Sequence, residues 1–250
     1  MKVVYNGELV DIANSPASQS GWLPGSGIFE TIKTVDNVAY ALSRHMKRAQ
    51  RSAAEIDMQI PNEAEIVQKV AQLVHALPHP NGLLRISFSA NSDWLIAHLP
   101  YEVSDKALKV RIHPVAITGD CHKRFPYDSR LIIMEEARVA GYDDAITMNP
   151  QANICEGSVT NLIVRIDNQW LTPPVSDGLL PGIMRELLIE NDQVEVQTIS
   201  IKEIPHITSA FFLSSLRIAQ PLASIGEHQL QASHAFGLEI HALAHKYSVG

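Results

Sequence analysis

Apolar and polar positions alternate over short stretches in the first third of the chain, and the alternation breaks at residues suited to tight turns. Met1 to Val10 reads as two short strands around Asn6-Gly7, whose positions tolerate positive φ. Behind Gly25-Ser26-Gly27, residues Ile28 to Thr34 and Val38 to Leu42 read as a second hairpin around Asp36-Asn37. From Ser43 the apolar spacing lengthens, with Met46, Ala49, Ala53 and Ile56 on one helical face. Glu63 to Leu77 repeats that pattern until Pro78 and Pro80 stop it. Strands are predicted over 83–89, 107–113, 144–149, 153–156 and 160–166, and near 195–199 and 210–213; helices are predicted over 127–141 and 183–190, and near 233–246.

Between the two halves, residues 114–122 mix Gly, Asp, Thr and Pro and break the periodicity. The expected organisation is therefore an N-terminal α/β domain over 1–113, an interdomain loop over 114–122 and a C-terminal domain over 123–250. Strands and helices together make the fold class α/β, of the α+β type. Neither a repeat nor a low-complexity tract interrupts it.

Composition narrows the partners. A chain of 250 residues with 46% hydrophobic and 19% charged residues can bury a substantial core. The net charge of −7 and the lack of a Lys/Arg run argue against nucleic acid, so a small molecule is the expected ligand. Residues 1–30 carry no basic start followed by an apolar stretch, and no window approaches the roughly 20 apolar residues of a membrane span. A cytoplasmic protein, with no membrane partner, is expected. The two cysteines, Cys121 and Cys155, offer neither a disulfide framework nor a metal spacing, and the histidines show no His-Glu-x-x-His pattern, so no metal site is expected. Cys121-His122 could pair a thiol with a base, but sequence neighbours rarely point at one another and no oxyanion turn accompanies them.

Three features carry chemistry. Lys123 offers an amine nucleophile, Glu156 heads the segment Glu156-Gly157-Ser158-Val159-Thr160-Asn161-Leu162, and Leu180-Pro181-Gly182-Ile183-Met184-Arg185 opens an apolar helix. An amine, an acid and a helix start able to hold a phosphate are what a pyridoxal phosphate enzyme must supply.

The ordered set of Gly25-Ser26-Gly27-Ile28-Phe29-Glu30-Thr31, His45-Met46-Lys47-Arg48, Lys123, Glu156 to Asn161, Gly182 to Arg185 and Ser214-Ser215 resembles the class IV, or fold-type IV, pyridoxal phosphate enzymes. That family comprises branched-chain aminotransferases, D-amino acid aminotransferases and aminodeoxychorismate lyases. The resemblance implies a smaller N-terminal α/β domain, a C-terminal mixed β domain with helices, and the cofactor pyridoxal 5'-phosphate at their junction. Lys123 matches the lysine that forms a Schiff base with the cofactor and moves the proton at the substrate Cα. Glu156 matches the carboxylate that keeps the pyridine nitrogen protonated, with Ser158 and Asn161 beside it in the motif. Arg48 matches the phosphate-gripping arginine of His-x-x-Arg. Leu180, Gly182, Ile183 and Met184 match the phosphate-binding helix start, and Ser214 and Ser215 match a second phosphate turn. Tyr127 matches the tyrosine that contacts the phenolic oxygen in branched-chain aminotransferases, after a loop shorter by one residue.

The resemblance further implies amino-group transfer between a small amino acid and a 2-oxo acid in a homodimer, with aminodeoxychorismate lyase as the alternative activity and a non-catalytic cofactor-binding scaffold as a third reading. Tyr127 and Thr172-Pro173-Pro174 lean toward the transaminases, whereas Met184 in place of the usual threonine leans toward the lyases. Ala90 to Ile96 stands where many relatives have an Arg/Gly-rich loop, leaving Arg44, Arg85, Arg124 and Arg217 as candidate carboxylate partners. Phe29 and Trp22 are expected to line a pocket wall, with Phe29 and Arg124 nearest the substrate.

Overall fold

The structure, a computed structural model, describes residues 1–117 and 119–248. The chain forms two units, one of Met1–Val103 with His122–Pro126 and His245–Gly250, the other of Ser104–Cys121 with Tyr127–Ala244.

In the first unit, β1 (Lys2–Tyr5) and β2 (Glu8–Asp11) meet through Asn6 and Gly7, at φ of 47° and 87°. The long strand β3 (Gly27–Val35) turns through Asp36 and Asn37, at 47° and 67°, into β4 (Val38–Ala39). Both turns are the mirror-image type that Asn, Asp and Gly enter at least cost, as expected from sequence. Next come α1 (Leu42–Glu55), α2 (Glu63–Ala76), β5 (Asn81–Ser89) and β6 (Trp94–Pro100). Asn62 caps α2 by accepting the Glu65 N–H at 2.9 Å. Further along, β7 (Leu108–Ile112) belongs to the other unit, while β8 (Arg124–Phe125) returns to this one. The sheet runs β2-β1-β6-β5-β3-β4, with β8 added to β3. One face carries Ile28, Ile32, Leu84, Ile86, Phe88 and Ile96 against Met46, Ala49 and Ala53 of α1 and Ile66, Val70 and Leu73 of α2. The predicted helical stripe is this contact.

The second unit contains β7, α3 (Asp128–Val139), β9 (Asp144–Met148), β10 (Ile154–Gly157), β11 (Asn161–Ile166), β12 (Gln169–Thr172), α4 (Ile183–Glu190), β13 (Glu195–Val196), β14 (Ser209–Ser214), β15 (Ile218–Ile225), β16 (His228–Gln229) and α5 (His234–Lys246) as far as Ala244. Its sheet runs β10-β9-β7-β15-β14-β11-β12-β13, with β16 added to β15. β7 pairs in parallel with both β9 and β15, so Leu108–Ile112 is a central strand of this sheet rather than the last strand of the N-terminal domain. Val110, Ile146, Leu162, Val164, Phe212 and Leu222 form its core. The α/β fold class is therefore as expected. Among the described residues, no helix is long and apolar enough to cross a membrane.

Candidate active site

In the first unit, β8 pairs antiparallel with β3, matching Gly27 with Phe125 and Ile28 with Arg124. The Phe29 N–H donates to the Lys123 carbonyl at 2.9 Å, and the Lys123 Nζ stands 4.6 Å from the centre of the Phe29 ring. Phe29 is buried and meets Trp22 edge to face, with centroids 4.8 Å apart. Phe29 thus meets Lys123, and the Trp22 ring lies 6.3 Å, centre to centre, from that of Phe125 of β8. Arg124 is exposed. Of the other arginines considered for a carboxylate, Arg85 lies 3.8 Å over the Trp22 ring and donates to the Ser20 carbonyl at 2.7 Å, and burial pushes its guanidinium down to about 10.

Arg48 sits in a buried cluster that the sequence reading did not anticipate. Its Nε and Nη2 donate to Glu30 at 2.8 and 2.5 Å, and His45 Nδ1 lies 2.6 Å from the same carboxylate. All three side chains are almost wholly enclosed, at 5%, 2% and 1% exposure for Arg48, Glu30 and His45. Burial alone would raise the Glu30 acid, but the Arg48 guanidinium and His45 hold it down at about 2. Burial pushes His45 down, against the pull of Glu30 and with the aid of Arg48 and Lys123.

The pH dependence follows in sign. A carboxyl lowered on folding contributes stability above its unfolded value near 4.5, and that contribution is lost as pH falls from 4.5 toward 2. A histidine lowered on folding likewise costs stability below its unfolded value of 6.5. Thermal unfolding followed by circular dichroism should therefore show the melting temperature falling below pH 6.5 and most steeply below 4.5, and Glu30→Gln should flatten the lower limb. A melting temperature constant from pH 7 to 3 would contradict this.

The second unit holds the other predicted residues. Glu156, on β10, is 4% exposed. Asn161, at the start of β11, donates from Nδ2 to Glu156 Oε2 at 3.3 Å and to the Leu180 carbonyl at 2.8 Å. The Leu180 N–H returns to Glu156 Oε2 at 3.2 Å, so one amide ties the carboxylate to the segment that opens α4. Gly182 is the residue before α4 and has no side chain to cap the first turn, leaving the N–H groups there to an anion. Ile183 and Met184 are buried in that turn. Behind it Arg185 donates to Thr172 Oγ1 at 3.2 Å and the Pro173 carbonyl at 2.7 Å, which fixes Thr172-Pro173 against the helix. Ser158 is buried, and Ser214 accepts the Arg217 N–H at 3.1 Å in the turn that also contains Ser215. Tyr127 is the N-cap residue of α3.

A residue missed by sequence reasoning completes this cluster. Arg130, in the first turn of α3, donates from Nη2 to Glu156 Oε1, while its Nη1 is buried and makes no hydrogen bond. Cys155 next to Glu156 is pushed up to about 12 by burial and by Glu156 and Asp177, so its thiol is no nucleophile. Cys121 is exposed.

Gly182 admits no larger residue. A Cβ there would stand 1.8 Å from Asn161 Oδ1, forcing Asn161 away from both Leu180 and Glu156. Gly182→Ala is expected to cost about 1–3 kcal/mol of stability, the usual range for overpacking. A denaturant titration reads that as a lower midpoint with unchanged slope; an unchanged midpoint would show that the turn can yield.

The family profile described as amino-transferase class IV matches residues 27–225. A D-alanine aminotransferase of Bacillus licheniformis is 24% identical over 90% of this chain and 88% of its own length. An aminodeoxychorismate lyase of Bacillus subtilis is 23% identical over 68% of this chain and 66% of its own length. Among solved structures, a branched-chain aminotransferase of the thermophilic archaeon Thermoproteus uzoniensis, with norvaline, superposes at a TM-score of 0.83 and 25% identity, covering 99% of this chain and 93% of that one.

Proposed function

Because the chain belongs to the class IV aminotransferase family, we propose that it is a pyridoxal 5'-phosphate-dependent aminotransferase that moves an amino group between a small amino acid and a 2-oxo acid. The observation that carries this reading is the buried Glu156 carboxylate, tied by Asn161 and the Leu180 N–H to the uncapped start of α4. A buried anion beside a helix N-terminus matches a ligand with a cationic ring at one side and a phosphate at the other. The unpartnered, buried Nη1 of Arg130 is a further donor available to such a ligand.

When bound, pyridoxal phosphate supplies an aldehyde for amine exchange and a ring that delocalises the electrons left at the substrate Cα. Lys123 is the amine that would hold that aldehyde and, once released, carry the proton at Cα. Glu156 would hold the proton of the ring nitrogen, with Asn161 and Leu180 fixing its orientation. The N–H groups at Gly182, Ile183 and Met184, with Ser214, Ser215 and Arg48, would bind the phosphate. Glu30 would then orient Arg48 while neutralising part of its charge. Tyr127 would donate to the phenolic oxygen, and Ser158, two residues after Glu156, is a further candidate for cofactor contact. The Phe29 ring, backed by Trp22, covers one side of the Lys123 amine; with Arg124 these two aromatic residues are the candidates for substrate contact.

A second reading, aminodeoxychorismate lyase, is favoured by Met184, which brings no hydroxyl to the helix start. Incubation of the loaded enzyme with alanine, branched-chain amino acids of both configurations and 2-oxoglutarate should yield the matching 2-oxo acids. Release of pyruvate and p-aminobenzoate from aminodeoxychorismate, without amino transfer, would instead select the lyase. No product from either would leave a cofactor-binding scaffold. We further propose a cytoplasmic homodimer, in keeping with two free cysteines and the family resemblance.

A further inference from the structure

We infer that Arg130 is a positioning residue that keeps Glu156 ionised, so that the proton shared between this carboxylate and a bound pyridine ring lies on the ring nitrogen. The inference rests on the cofactor reading above and adds to it a residue outside the recognised motifs.

Glu156 is enclosed, and enclosure favours the neutral acid over the carboxylate. A protonated Glu156 could donate to a neutral pyridine nitrogen, but it would leave the ring without its positive charge and weaken it as an electron sink. Asn161 and the Leu180 N–H are neutral donors to Oε2. Arg130 instead brings a full cation to Oε1, with its side chain only 16% exposed. The guanidinium touches the carboxylate directly, and on a ring held beyond that carboxylate it would act at longer range, so its attraction to the anion would exceed its repulsion of a pyridinium. The pair of charges is therefore favoured over the neutral pair.

Two observations argue against a bland helix-surface role. Arg130 lies in the first turn of α3, where the helix dipole disfavours a cation, so the helix gains nothing from it locally. It also leaves Nη1 buried and unpartnered, which a residue placed only for stability would avoid. What offsets both is the contact with Glu156.

The test is the 15N chemical shift of ring-labelled pyridoxal phosphate in the loaded protein, which reports directly whether the nitrogen carries a proton. Wild type and Arg130→Lys should give the protonated position. Arg130→Gln should shift the proton toward the carboxylate by about tenfold or more in equilibrium, the effect of losing an opposite charge at contact. Arg130→Met, which keeps the aliphatic stem, should do the same and guards against a misfolded glutamine variant. Glu156→Gln should remove the ring proton in either background. If the ring stays protonated in both neutral Arg130 variants while Glu156→Gln deprotonates it, the role of Arg130 is overturned and that of Glu156 stands. If Glu156→Gln leaves the ring protonated, the assignment of Glu156 falls, and with it that of Arg130. Failure of the wild-type protein to take up the cofactor would overturn the reading beneath both, and neutral Arg130 variants that lose the cofactor while Arg130→Lys keeps it would overturn the positioning role alone.

Discussion

Lys123→Ala is expected to remove the visible absorbance of the pyridoxal phosphate-loaded protein and to lower amino transfer by a factor of about 10⁴ or more. The size follows from the two tasks assigned to one amine: a nucleophile that holds the aldehyde, and a proton carrier, the latter alone worth about 10²–10⁴. The fold should survive the change. Lys123 joins the β3 edge through its carbonyl, which accepts the Phe29 N–H, and alanine preserves that bond while giving up the Nζ contact with the Phe29 ring. Unaltered far-ultraviolet circular dichroism, with partial recovery of turnover by added methylamine, would separate loss of the amine from loss of structure. Full absorbance in the alanine protein would move the role to another lysine, of which Lys33 on β3 is the most enclosed in the first unit.

The second large effect is expected at Glu156. Glutamine keeps the shape and can still accept from the Leu180 N–H, but it removes the negative charge that would hold a ring proton. Amino transfer should fall about 10²–10³-fold, the range found when one preorganised electrostatic group is lost. Cofactor uptake should persist, because a glutamine that still accepts from the Leu180 N–H leaves in place the helix start that would bind the phosphate. A variant that binds cofactor but turns over as fast as wild type would show that no charge is needed there. Loss of uptake and turnover together would point to a structural part for the Glu156–Asn161–Leu180 cluster.

The local signals in the sequence translated into structure wherever they were self-contained. Asn6-Gly7 and Asp36-Asn37 carry their turn conformation in their own chemistry, and the Met46-Ala49-Ala53 stripe needs only a helix to appear. β6 was not legible because Trp94, Leu95, Ile96 and Ala97 are buried on successive positions, which removes the alternation that marks a half-exposed strand. β15 was missed as well, and it begins at Ile218 with a φ of 62°, a conformation no β-branched residue signals in advance. The placement of β7 depended on its parallel partners β9 and β15, one of them more than a hundred residues away, and pairing at that distance leaves no local trace.

The site divides in the same way. Glu156, Asn161 and Gly182 could be named as candidates because each lies in a motif that keeps its spacing, and Lys123 because it falls in order among those motifs. Glu30 and Arg130 could not, since a single charged residue on a strand or in a first helical turn reads as solvated until its partner is known. One signal was available for Glu30: at alternate positions it shares a strand face with Ile28 and Ile32, and His45 and Arg48 interrupt the buried face of α1 at a spacing of three. Polar residues on two apolar faces predict one another.

The most direct measurement is borohydride reduction of the pyridoxal phosphate-loaded protein followed by peptide mapping. A bleached visible band, with the reduced cofactor fixed to the peptide that contains Lys123 and to no other, is the predicted result. A stable cofactor adduct on any other lysine, or a protein that takes up no pyridoxal phosphate at all, would contradict it.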